Sequence, residues 1–148
     1  MNIEMSHCAR RLIFWGAALF LAGLLQGALI PYFMNPKMAL SAHLAAVQSG
    51  MALMVFGLIW GALILEAKWL SVTFYSSIAS MYLIWFAITL SAVLGASRAL
   101  PMAGAGFSSS PLNETLVEVI VYIGAGLGIV ASLLIVLGLY KGLNKSEV

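Results

Sequence analysis

Four long stretches of the chain carry no Asp, Glu, Lys or Arg: Leu12–Pro36, Met38–Leu65, Trp69–Ser97 and Val119–Tyr140. Within each, apolar residues run on without the every-second-position polar rhythm of a membrane β-strand. A helix needs ~20 apolar residues to cross ~30 Å of hydrocarbon, and each stretch supplies them. Helices also satisfy their own backbone N–H and C=O groups, which lipid cannot do. The expectation is an all-α integral membrane protein, a four-transmembrane-helix bundle forming one domain over residues 1–148. Its spans should fall at about 12–33, 38–65, 69–97 and 115–140.

The punctuation between these stretches agrees. Pro31 and Pro36 end the first, and Asn35-Pro36 reads as the turn into the second. Glu66-Ala67-Lys68 is a short link between the second and third. A longer connection, Arg98 followed by PMAGAGFSSSPLNE, reads as a flexible loop. At its end Ser110 suits an N-cap and Pro111 the first helical position, with Glu114 in the first turn. Small residues recur four apart at Gly23/Gly27, Gly57/Gly61, Ser76/Ser80 and Gly124/Gly128, where helix backbones can approach closely.

Composition moves the picture further from a soluble protein. The chain is 63% hydrophobic and 8% charged, contains no aspartate, and has a mean hydropathy of +1.06; soluble domains keep about a quarter of their residues charged. The net charge of +2 is scattered, which leaves no footprint for nucleic acid. Cys8, the one cysteine, forms no internal disulfide. It is expected, with His7, in a polar N-terminal tail, as a bystander thiol or a lipid-attachment point. The first apolar run is too long for a cleavable signal. Arg10, Arg11, Lys68, Lys141 and Lys145 fall on one side of the membrane and only Lys37 and Arg98 on the other, so both termini should be cytoplasmic. Trp15, Trp60, Trp69 and Tyr140 lie near span ends and read as interface anchors. Tyr82 and Trp85 lie deeper, where their polar atoms need partners.

His43 is the ionisable group that the second stretch does not need for spanning. Ala39, Ala46, Val47 and Gly50 share its helix face, and their small size predicts a shallow trough beside the imidazole. Three readings remain open: a histidine bonded to a neighbouring helix, a proton carrier, or a metal ligand. A relay needs a second ionisable group at similar depth, and the nearest, Glu118, sits close to a helix start. Catalytic zinc takes three protein ligands, whereas haem iron takes one, which ranks haem first among the metals. Lys37 and Arg98, in the loops on His43's side of the membrane, are the cations expected to face haem propionates there.

The run LIFWGAALFLAGLLQGALIPYFMNPKMALSAHLAAVQSG, residues 12–50, resembles the N-terminal half of bacterial hydroxylaminobenzene mutases. The shared pattern is Asn35-Pro36-Lys37-Met38, then Ala42-His43-Leu44, then Ser49 before Gly50. SPLNETLVEVIVYIGAGLGIVASLLIVLGL resembles the family's last helix. The family is more distantly similar to styrene oxide isomerase, a small four-helix trimer. The resemblance implies a multi-pass protein of the bacterial inner (cytoplasmic) membrane, working as a homo-oligomer. It further implies ferric haem b at the subunit interface, with His43 as axial ligand and Ala39, Ala46, Gly50, Lys37 and Arg98 around the cofactor. Ser49, Tyr82 and Trp85 would line the pocket for a small aromatic substrate. Where relatives commonly carry asparagine, this chain has Ser49 and Ile84. The implied activity converts an aryl hydroxylamine to a 2-aminophenol. The alternatives are an aryl epoxide isomerase with the same haem, and a non-enzymatic haem-binding or scaffold subunit.

Overall fold

The computed structural model describes residues 6–145. Four helices account for most of them: α1 His7–Leu29, α2 Pro36–Ile59, α3 Ala67–Leu94 and α4 Pro111–Lys145. All four are long and apolar enough to cross a membrane. Short 3-10 turns, Ile30–Tyr32 and Trp60–Ala62, extend α1 and α2. Against expectation α2 closes before residue 63, because Leu63 turns extended and its N–H bonds back to the Trp60 carbonyl. The link to α3 is therefore Leu63–Glu66. Helix α1 starts earlier than expected: Ser6 caps it through a bond from Ala9 N–H. His7 and Cys8 are thus helical, and Cys8 packs against the core instead of lying in a polar tail.

Glycines set the α1–α2 register. A Cβ on Gly16 would lie 2.6 Å from the Gly50 carbonyl oxygen, and one on Gly50 would lie 2.7 Å from that of Gly16. Gly57 meets the Ala9 carbonyl and Ile13, and Gly23 meets Ala46 and Val47. The two helices run antiparallel with backbones in contact, packing that only small residues permit. Helix α3 joins α4 by the same device, Gly124 lying against Ile84 and Gly128 against Ser80. Gly61 meets nothing within 4 Å, so the expected pairing holds there only at Gly57. Helix α4 comes close to α3 and to the Trp60–Ala62 turn, but to neither α1 nor α2.

Two buried clusters hold the hairpins together. One joins Leu12, Leu19, Leu53, Trp60, Phe74 and Ile135. Trp60 is 6% exposed and meets Phe74 edge-on, so it is core and not the interface anchor expected from its position. Trp69 and Tyr140 are exposed as anchors should be, with the Lys68 ammonium over the Trp69 ring. The second cluster joins Met38, Ala39, Ala42, Ile88 and Ala92 at the opposite end. Above it sits Asn35, fully buried: its Oδ1 accepts from Met38 N–H, capping α2, and its Nδ2–H donates to the Ala103 carbonyl.

The α3–α4 connection is ordered where its composition reads as flexible. Gly95 takes the left-handed conformation that ends α3. The Glu114 carboxylate is buried and accepts backbone N–H bonds from Ser97, Arg98 and Ser109, pinning both ends of the loop to the start of α4. Ser110 Oγ accepts from Asn113 N–H and Pro111 opens the helix, as expected.

Candidate functional site

His43 lies seven residues into α2, about 10 Å along its axis at 1.5 Å per residue. Its imidazole lies across α1. The Nδ1–H donates to the Gly23 carbonyl at 2.7 Å, and a Cβ on Gly27 would fall 2.8 Å from Nδ1 and 2.9 Å from Cε1. Gly23 thus supplies the acceptor and Gly27 the space, which gives this glycine pair a second purpose beyond close helix packing. A carbonyl oxygen only accepts, so the proton belongs on Nδ1 and the lone pair on Nε2. Nε2 has no hydrogen-bond partner among the described residues and is not buried, because no buried side-chain N or O there is left unpaired.

This is the arrangement a ligating histidine takes, with one ring nitrogen tied to a carbonyl and the other free for a metal. Among the described residues no three His, Cys, Asp or Glu side chains gather, so a three-ligand metal site is not built there. For haem, which asks for one imidazole nitrogen, the donor set fits. The expected trough does not. Ala39 and Ala46 are fully buried, Gly50 lies against the α1 backbone, and Ala46 lies under Gly23. The small residues are consumed by helix packing, leaving no open groove for a flat ring within one chain.

Lys37 is exposed at the loop end and makes no ion pair among the described residues. Arg98 is already engaged: its Nη1 lies 3.5 Å from Glu118 Oε2, an ion pair near the membrane surface. Glu118 is thereby occupied as well.

Tyr82 and Trp85 are brought together, edge to face with centroids 6.3 Å apart. The Tyr82 hydroxyl donates to the Trp15 carbonyl at 2.9 Å, and Trp15 meets the Tyr82 ring edge-on at 6.1 Å. Ser49 is half-buried, and its hydroxyl makes no hydrogen bond to another described residue. No hydrogen bond or ring contact among the described residues links His43 to Ser49, Tyr82 or Trp85. The imidazole seat and the aromatic pair meet different faces of α1. Ile84 lies against Gly124 of α4.

Two glutamines carry information that a search for charged residues passes over. Gln26, 6% exposed, joins α1 to α3: Trp85 Nε1–H donates to its Oε1 at 2.7 Å, and its Nε2–H donates to Thr89 Oγ1 at 3.0 Å. Gln48 is exposed halfway along α2, between Leu44 and Met51, and has no partner among the described residues. The signal for both was an amide inside a charge-free apolar run. One helical turn from Gln26 and Thr89, Leu29 and Val93 line a pocket of about 540 Å³ with Tyr32, Phe33 and Met34.

The fold and site define a class first: a four-helix membrane protein with one imidazole nitrogen free within a spanning helix and a pair of polar aromatic side chains held against another face of α1. Comparison with known proteins gives the family. The styrene oxide isomerase family matches residues 8–140, and the chain belongs to it. Two relatives come from Ectopseudomonas oleovorans. Hydroxylaminobenzene mutase HabB is 39% identical over 110 residues, 74% of this chain and 67% of its own. Hydroxylaminobenzene mutase HabA is 36% identical over 108 residues, 72% of this chain and 80% of its own. No solved structure matches the chain. The protein is a membrane enzyme of the isomerase and mutase kind.

Proposed function

We propose that the protein converts aryl hydroxylamines to 2-aminophenols within the membrane, using haem b held by His43. The observation that carries the reading is the imidazole itself, seated on Gly23 and Gly27 with Nε2 free. The two relatives are named for hydroxylaminobenzene, which supports the substrate class. In the reaction an N–O bond breaks, a C–O bond forms at the ortho carbon, and the hydrogen displaced there returns to nitrogen. Substrate and product are isomers, so no external oxidant or reductant enters. When bound, ferric haem supplies a Lewis acid for the oxygen that leaves nitrogen.

The chain's own residues supply the rest. Gly23 holds the Nδ1 proton, keeping Nε2 basic and the ring fixed. Tyr82 and Trp85 offer aromatic rings against which an aromatic substrate packs, and Ser49 offers an unpaired hydroxyl for its polar end. Lys37 is the cation free to meet a propionate, while Arg98 would have to leave Glu118 to do so.

Assembly belongs to the same reading. The trough beside His43 is filled within one chain, so a flat cofactor needs a wall from another copy. Gln48 supports this, since an exposed carboxamide at mid-helix needs a polar partner from outside the chain. The same reading puts the protein in the bacterial inner membrane, as the resemblance to bacterial relatives implies, and the distribution of lysines and arginines supports cytoplasmic termini.

A second reading, isomerisation of an aryl epoxide to a carbonyl compound, is favoured by the name of the matched family. The test pairs a visible absorption spectrum of purified wild type and His43→Ala with product analysis on both substrate classes. A Soret band lost in the variant, with 2-aminophenol as product, is expected. Turnover of the epoxide alone would replace the first reading by the second, and a colourless, folded, active wild type would remove haem from both.

A further inference from the structure

Three polar side chains within the spanning helices, Gln26, Trp85 and Thr89, close into a ring. Trp85 Nε1–H donates to Gln26 Oε1 at 2.7 Å, and Gln26 Nε2–H donates to Thr89 Oγ1 at 3.0 Å. Thr89 Oγ1–H donates to the backbone carbonyl of Trp85 at 2.8 Å. Gln26 is the member that crosses from α1 to α3.

Joining the helices does not require it. A leucine or methionine would fill the same volume without the desolvation that a buried carboxamide carries. What only the carboxamide does is fix a plane. An indole has a single donor, so holding Nε1–H fixes the rotation of the Trp85 ring. Tyr82 stands edge-on to that ring, and its hydroxyl is tied to the Trp15 carbonyl. Both aromatic rings are therefore held by polar bonds to α1. Gln26 also lies between Gly23 and Gly27, so one turn of α1 carries the imidazole seat on one face and the indole anchor on another.

We infer that Gln26 is a positioning residue whose carboxamide sets the Trp85 indole, and through it the Tyr82 ring, in register with the seat of His43. The inference rests on the reading that Tyr82 and Trp85 line the reaction pocket. Gln26 acts through Trp85 and touches no reacting atom itself. A loosened indole leaves the substrate ring bound but misaligned, so kcat falls while KM holds.

The experiment compares Gln26→Met, Trp85→Phe and the double variant in detergent. It reads kcat and KM on phenylhydroxylamine, and the indole N–H resonances by 15N-labelled NMR. The Trp85 signal is the one missing from Trp85→Phe. Gln26→Met should move that signal upfield and lower kcat about tenfold, short of the ~10² associated with a 1 Å misplacement. The double variant should be no slower than Trp85→Phe alone. Thr89→Val, which frees the far end of the amide, should shift the same signal the same way with a smaller loss, and it serves if Gln26→Met does not fold. A moved signal with wild-type kcat overturns the inference, as does an unmoved signal or additive losses in the double variant. Impaired Trp85→Phe beside an unaffected Gln26→Met sinks only the role of Gln26. Wild-type kinetics in Trp85→Phe sinks the pocket reading and the inference with it.

Discussion

Adding one methyl group at Gly27 tests the imidazole seat without touching the imidazole. A Cβ there would lie 2.8 Å from His43 Nδ1 and 2.9 Å from Cε1, closer than real side-chain carbons approach. The ring must move, and its bond to Gly23 at 2.7 Å must stretch or break. Overpacking costs about 1–3 kcal/mol, and the lost hydrogen bond about 1 kcal/mol. Alanine offsets ~1 kcal/mol of this through its better helix propensity. Gly27→Ala should therefore destabilise by about 1–3 kcal/mol, measured by reversible unfolding in mixed micelles. In a His43→Ala background the obstacle is gone, and the same substitution should be neutral or stabilising by up to ~1 kcal/mol. Gly126→Ala, where nothing lies within 4 Å, is the control and should gain stability in both backgrounds. An equal loss at Gly27 with and without the imidazole would refute the seat, because the clash would then lie with something other than the histidine.

Gly50→Ala should cost more than Gly27→Ala in the same unfolding assay, because its Cβ meets backbone at Gly16 and Phe20 that cannot rotate away. Asn35→Ala removes the α2 cap and the bond to Ala103; a loss of about 2–4 kcal/mol is expected, with faster proteolysis of the loop after Gly95. Glu114→Gln should loosen the same loop by about 1–3 kcal/mol, since a carboxamide offers one acceptor oxygen to N–H groups that now share two. Gln48→Leu should shift the mass distribution in mild detergent toward monomer while leaving the helical circular dichroism unchanged.

The four helices and their punctuation were legible because each signal is local. Charge-free length, Asn35 before Pro36 and Ser110 before Pro111 state their meaning within a few residues. Helix faces were not legible, because residues apolar on every side leave no contrast between core and lipid. Trp60 illustrates this: an aromatic near a span end has the position of an anchor, and only the arrival of Phe74 makes it core. Ala39, Ala46 and Gly50 have the right size for a trough and for a helix contact alike, and α1 claims them for the contact. His43 was legible as an anomaly of charge. Gln26 was not, since its weight comes from Trp85 and Thr89, more than fifty residues away.

The backbone contact between α1 and α2 has a consequence for motion. At Gly16 and Gly50 only a hydrogen atom fits between the helices, and Gly23 and Gly57 are nearly as close. A slide of one turn would bring Phe20 or Met54 into a gap without room for a methyl group. The first hairpin therefore behaves as a rigid rail that keeps the imidazole at one depth. Any breathing that admits a molecule from the bilayer falls to the second hairpin, where α4 leans on α3 and, at one end, on the Trp60–Ala62 turn, but on neither α1 nor α2.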